Sequence, residues 1–62
     1  LNYFLSHTEM ENLRYVTGEH ERISNQLESL AENSNNPVTR IRLHQDAEHA
    51  KLAHRQLLSY FS

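Results

Sequence analysis

Apolar side chains recur at alternating intervals of three and four residues through the first half of the chain. Leu13, Val16, His20, Ile23, Leu27, Leu30 and Ser34 form one such series, the spacing of a single face of an α-helix. A second series, Leu43, Ala47, Ala50, His54, Leu57 and Phe61, follows with Leu58 beside it. Between them Asn33-Ser34-Asn35-Asn36-Pro37 carries the densest turn signal in the sequence. Asn36 suits a helix N-cap, and Pro37 suits a first helical position, where a missing N–H costs nothing. Upstream, Ser6 and Glu9 have capping-box spacing, with Leu5 and Met10 placed as the hydrophobic staple around it. Thr8 and Glu11 offer a second box two residues later. The pattern predicts an all-α chain: a helix over about 7–33, a turn at 34–36 and a helix over about 37–60, in one domain spanning 1–62.

So short a turn predicts an antiparallel two-helix hairpin. Laying one series back along the other sets Leu30 against Leu43, Leu27 against Ala47 and Ile23 against Ala50. His20 then meets His54, Val16 meets Leu57 and Leu13 meets Phe61. Large residues face small ones, which lets two seams interdigitate. A weaker stripe, Val38, Ile41 and Leu52 with Gln45 among them, points away from that seam. A hairpin covers one face only, so a homodimer completing a four-helix bundle is expected, with Val38, Ile41 and Leu52 at the interface. The plainer alternative makes these three scattered surface residues.

Composition narrows the picture further. Sixty-two residues make one domain or part of one, and so short a chain buries too little surface to be robust without staples or a partner. Cysteine is absent, so disulfides and thiolate metal sites are ruled out. One Gly and one Pro argue against an all-β fold and against a disordered linker. Gly18 falls inside the first helix, where it costs about 1 kcal/mol relative to Ala; close backbone packing is the one reason the sequence suggests for it. A net charge of −2 with both signs interspersed does not resemble a nucleic-acid tail. No apolar run approaches a membrane span and no signal-peptide pattern is visible, so a cytoplasmic or spore-associated location is expected, without membrane contact. The chain opens on Leu1 rather than Met, which leaves its native ends open.

Five histidines are many for this length. His20 and His54 fall opposite each other in the predicted seam. They read either as a two-imidazole metal or pH-sensitive site, or as a partly buried pair bonded to each other or to Ser24 or Thr17. The second reading is favoured, because zinc and iron sites recruit three or four ligands and that layer offers no carboxylate. The Glu-x-x-His pattern of di-iron bundles is missing: Glu48 is followed by Lys51, and the nearest approach is Asp46 with His49 on the seam's flank. His7 with Glu11 and His44 with Glu48 are ordinary surface pairs one helical turn apart. No phosphate loop or hydrolase triad stands out, so no catalytic residue, cofactor or metal is assigned. Arg40, His44, Lys51 and Arg55 form a basic edge on the second helix, the basis of an alternative reading as a small dimeric RNA-binding or regulatory hairpin. Net acidity, the intrusion of Glu48 and the lack of an aromatic ladder weigh against nucleic acid. Tyr15 points away from the seam, and Tyr3 and Phe4 precede it, as contact residues or as a cover for the bundle's end.

Residues 30 to 61 resemble the second half of small spore coat proteins of the coat F-like group, within the wider ferritin-like helical class. The likeness is carried by Leu30-Ala31, Asn36-Pro37, Ile41 with Leu43, Ala47, and the run His54 to Leu57; Leu5-Ser6 with Glu9 is similar to the opening of such chains. The resemblance implies a coat-associated packing role, with another coat or helical protein as a further partner, and no catalysis. Lys51 stands where metal-binding ferritin-like relatives carry an acidic ligand, which removes the oxidase reading and leaves the fold. The expected function is therefore a non-enzymatic structural or protein-interaction module.

Overall fold

A computed structural model describes residues 4–61; Leu1, Asn2, Tyr3 and Ser62, including the Tyr3 contact suggested above, lie outside the described residues. Two helices account for most of the chain: α1, His7–Asn33, and α2, Pro37–Leu58, which runs on into a 3-10 turn at Ser59–Phe61. Among the described residues there is no strand.

Local chemistry fixes each helix end. Ser6 is the N-cap of α1. Its hydroxyl accepts from the Glu9 N–H at 3.1 Å, and the Glu9 carboxylate accepts from the Ser6 N–H at 2.9 Å. The box at Ser6 wins over the one at Thr8 because it leaves Leu5 and Met10, both half-buried, flanking the cap as a staple requires. At the far end the Ser34 N–H donates to Ala31 O at 3.2 Å. α1 has no basic residue in its last turn. Arg40, reaching back from α2, takes that part: its Nη1 donates to Glu32 O at 3.3 Å and Ser34 O at 3.4 Å. Carbonyls left over at a helix C-terminus are thereby satisfied. Asn36 caps α2, its Oδ1 accepting from the N–H groups of Val38 (3.0 Å) and Thr39 (3.1 Å), with Pro37 following as the first helical residue.

The chain is a helical hairpin. Arg14 lies over the Phe61 ring, Glu21 meets His54 and Glu28 meets Lys51, so residue numbers fall along α2 as they rise along α1. It measures 46 × 19 × 11 Å, a single layer of helix. The seam of α2 is the expected one: Ala47 is buried, and Leu43, Ala50, His54, Leu57 and Phe61 are half-buried.

The seam of α1 is displaced. Thr17, Ser24 and Ala31 are its buried residues, whereas Val16, Ile23 and Leu30 are 39%, 40% and 53% exposed. Leu13, His20, Leu27 and Ser34 are shared between the expected seam and the observed one. At about 100° per residue, α1 has turned by roughly 50° from the expected facing. The cross-helix pairs moved with it. His54 meets Glu21 rather than His20, and Phe61 meets Arg14 rather than Leu13, one residue further along α1 in both cases.

Close approach explains the displacement. Among the described residues, Ala31 and Ala47 are the fully buried apolar ones, and no large side chain is fully buried. Small residues on both helices let the backbones come near, and that leaves no depth for Ile or Leu between them. The two hydroxyls tolerate burial because their own helix satisfies them. Thr17 Oγ1 donates to Leu13 O at 2.6 Å and Ser24 Oγ donates to Glu21 O at 2.8 Å. No buried side-chain polar atom lacks a partner among the described residues. Gly18, by contrast, has no packing role: a Cβ built there meets nothing within 4 Å.

Candidate functional site

The histidines do not form a pair. His20 turns back on its own helix, with Nδ1 2.9 Å from Val16 O, a contact in which the ring N–H donates. His54, with its side chain one-fifth exposed, places Nε2 3.4 Å from a Glu21 carboxylate oxygen. The displacement of α1 causes this, because it brings Glu21 toward α2 and carries His20 to the seam's edge. Among the described residues no three or more His, Asp or Glu side chains gather as a metal-ligating group. The carboxylate that the sequence reading did not place beside His54 was legible in principle, since Glu21 adjoins His20; only the facing of α1 brings it in.

The basic edge of α2 is divided. Arg40 is occupied with the C-terminus of α1. Lys51 is bound by Glu28 across the hairpin and lies 3.5 Å from Glu48 on its own helix. The hydrogen bond that Lys51 donates to the Glu28 carboxylate is the main reason the ammonium titrates above the usual lysine range. With Arg40 and Lys51 committed to internal partners, His44 and Arg55 remain exposed, with Glu48 between them in sequence. A strip of this kind offers few cations to a phosphate backbone.

The surface pairs follow helical spacing. His7 lies 3.9 Å from Glu11, and Arg14 lies 3.1 Å from Glu11. Arg22 donates to Glu19 and to Gln26, each at 2.9 Å, forming a strap along one border of α1. That hydrogen bond holds the Glu19 carboxyl below the usual carboxylate range, as the Ser6 N–H and hydroxyl do for Glu9. The expected pairing of His44 with Glu48 is not made; Glu48 turns to Lys51.

What the molecule presents most plainly is uncovered apolar surface, in two places. Val38, Ile41 and Leu52 on α2 are 76%, 61% and 48% exposed. The second place is one the sequence reading missed. Val16, Ile23 and Leu30, expected inside, stand along α1 at intervals of seven residues. Beside this column run shallow grooves: one is lined by Leu5, Leu13, Val16 and Tyr60 among others, and another by His20, Ala53, Leu57 and Tyr60. Phe4 and Tyr15 are also exposed. No helix among the described residues is long and apolar enough to cross a membrane. Compared with protein families, curated proteins and solved structures, the chain matches none.

Proposed function

We propose that the chain is a non-enzymatic helical packing module: an antiparallel hairpin that associates with a second copy to complete a four-helix bundle and serves as a structural or protein-interaction component. One observation carries this reading. Among the described residues, the apolar ones that the hairpin buries fully are two alanines, while Val16, Ile23, Leu30, Val38, Ile41 and Leu52 remain uncovered. A single helical layer of this size gains too little from its own interface to offset the entropy of ordering a 62-residue chain, and a second layer supplies the missing burial. The resemblance to coat F-like chains gives the module a setting, a coat-associated role in a spore-forming bacterium beside other helical proteins. No residue is assigned to catalysis, to a metal or to a cofactor.

Sedimentation velocity at tens of micromolar tests the association. A mass of two chains is the expected result, and a well-folded monomer at that concentration refutes it. Detection of the protein in coat extracts of the source organism's spores tests the setting; its absence there leaves a packing module without the coat assignment.

A further inference from the structure

We propose that the column of Val16, Ile23 and Leu30 is the surface that receives the second copy, with α1 lying antiparallel on its partner's α1 and Ile23 at the two-fold axis. This rests on the reading of the chain as a self-associating module and assigns the face it uses.

The two uncovered apolar surfaces differ in continuity. On α2, Ile41 and Leu52 are eleven residues apart, and Gln45 and Glu48 interrupt the stripe between them. On α1 the three residues repeat every seventh position, which holds them nearly in line along the helix, with Leu13 and Leu27 half-buried beside them. From α2, Leu57 and Tyr60 border the same side, since they line the grooves that Leu13, Val16 and His20 also line. The opposite border is the strap of Glu19, Arg22 and Gln26. Its polar groups already bond to one another, so the column can be covered without stranding a charge.

Size favours a second copy as the occupant. The broad face of the hairpin, 46 by 19 Å, covers about 870 Å², and a stable interface takes about 800 Å² from each partner. A pattern centred on Ile23 is also its own complement: a two-fold axis there sets Ile23 on Ile23 and Val16 on Leu30. Charge selects the antiparallel sense. The first turn of α1 is acidic, with Glu9 held ionised by its cap. α2 has no acidic residue in its first turn. Arg42 stands near that end, in register with Ala53, Gln56 and Tyr60, and makes no ion pair among the described residues. Antiparallel packing brings the acidic start of one α1 to the end of the partner that carries Arg42, whereas parallel packing stacks like on like.

The lack of cysteine makes the test direct. Single-cysteine variants Ile23→Cys and Leu52→Cys, both at exposed positions, are oxidised under dilute, non-denaturing conditions after circular dichroism has verified their helicity. The expected result is near-complete disulfide-linked dimer for Ile23→Cys and little for Leu52→Cys. A mixture of Val16→Cys with Leu30→Cys should cross-link well, and Val16→Cys alone poorly. A dimer by sedimentation that cross-links only through Leu52→Cys overturns the face and leaves self-association standing; a monomer overturns both. Cross-linking of Val16→Cys alone, with none in the mixture, overturns the antiparallel sense. On the unsubstituted chain, half-filtered NOEs between labelled and unlabelled copies should join the methyls of Val16 and Leu30. A dimer whose intermolecular NOEs involve only Val38, Ile41 and Leu52 overturns the assignment without any variant.

Discussion

Ser6, Glu9 and Gly18 carry consequences that can be read one side chain at a time. Removing the cap hydroxyl with Ser6→Ala strands the Glu9 N–H in the first turn of α1 and should lower stability by about 1 kcal/mol in a denaturant melt. Gly18→Ala should raise stability by about 1 kcal/mol, because the added methyl group enters open space and the unfolded chain loses freedom. The Glu9 box also fixes a pH dependence. Its carboxyl titrates lower in the folded chain than in the unfolded one, chiefly through the Ser6 N–H. Its stabilisation is therefore present above the unfolded carboxylate value and is lost as pH falls through the lower folded value. Thermal melts between neutral pH and pH 3 should show that acid limb, and Glu9→Gln should flatten it.

Between the two elements, the decisive feature is how near they come. Thr17, Ser24 and Ala31 on α1 meet the Ala47 side of α2, and each is small enough to admit the neighbouring backbone. Ser24→Leu makes the sequence look more hydrophobic, yet it should destabilise the hairpin by about 1–3 kcal/mol through overpacking. A chemical melt showing Ser24→Leu as stable as the parent would contradict the small-residue seam. Lys51 and Glu28 join the helices on one flank of that seam. Because Lys51 titrates above its unfolded value, the pair's contribution is complete below that unfolded value. It fades as pH rises through the folded one. The parent should lose stability across that alkaline range, and Glu28→Gln should lose less of it.

For the molecule as a whole, thinness is the governing fact. An 11 Å layer has two broad sides, and the hairpin itself covers neither. If a second copy supplies the cover, folding and association are coupled. The melting temperature should then climb as protein concentration is raised from micromolar to hundreds of micromolar. A melting temperature independent of concentration across that range would mean that the single layer stands alone.

Most of the architecture was legible in local chemistry. The Ser6–Glu9 box, the Asn36-Pro37 start and the three-four spacing of Leu43 to Phe61 each depend on residues within a turn or two of one another, so helix limits and the seam of α2 could be derived from order alone. The facing of α1 could not. Hydropathy ranks Val16, Ile23 and Leu30 above Thr17, Ser24 and Ala31, and a helix by itself has no preference between two adjacent stripes. The preference arises only when a second backbone arrives. Close contact then rewards small volume over apolar area, and hydroxyls bonded to their own helix cease to count as polar. The tertiary structure therefore decided that the greasiest column of α1 faces outward, that Glu21 rather than His20 meets His54, and that Arg40 and Lys51 serve the hairpin itself.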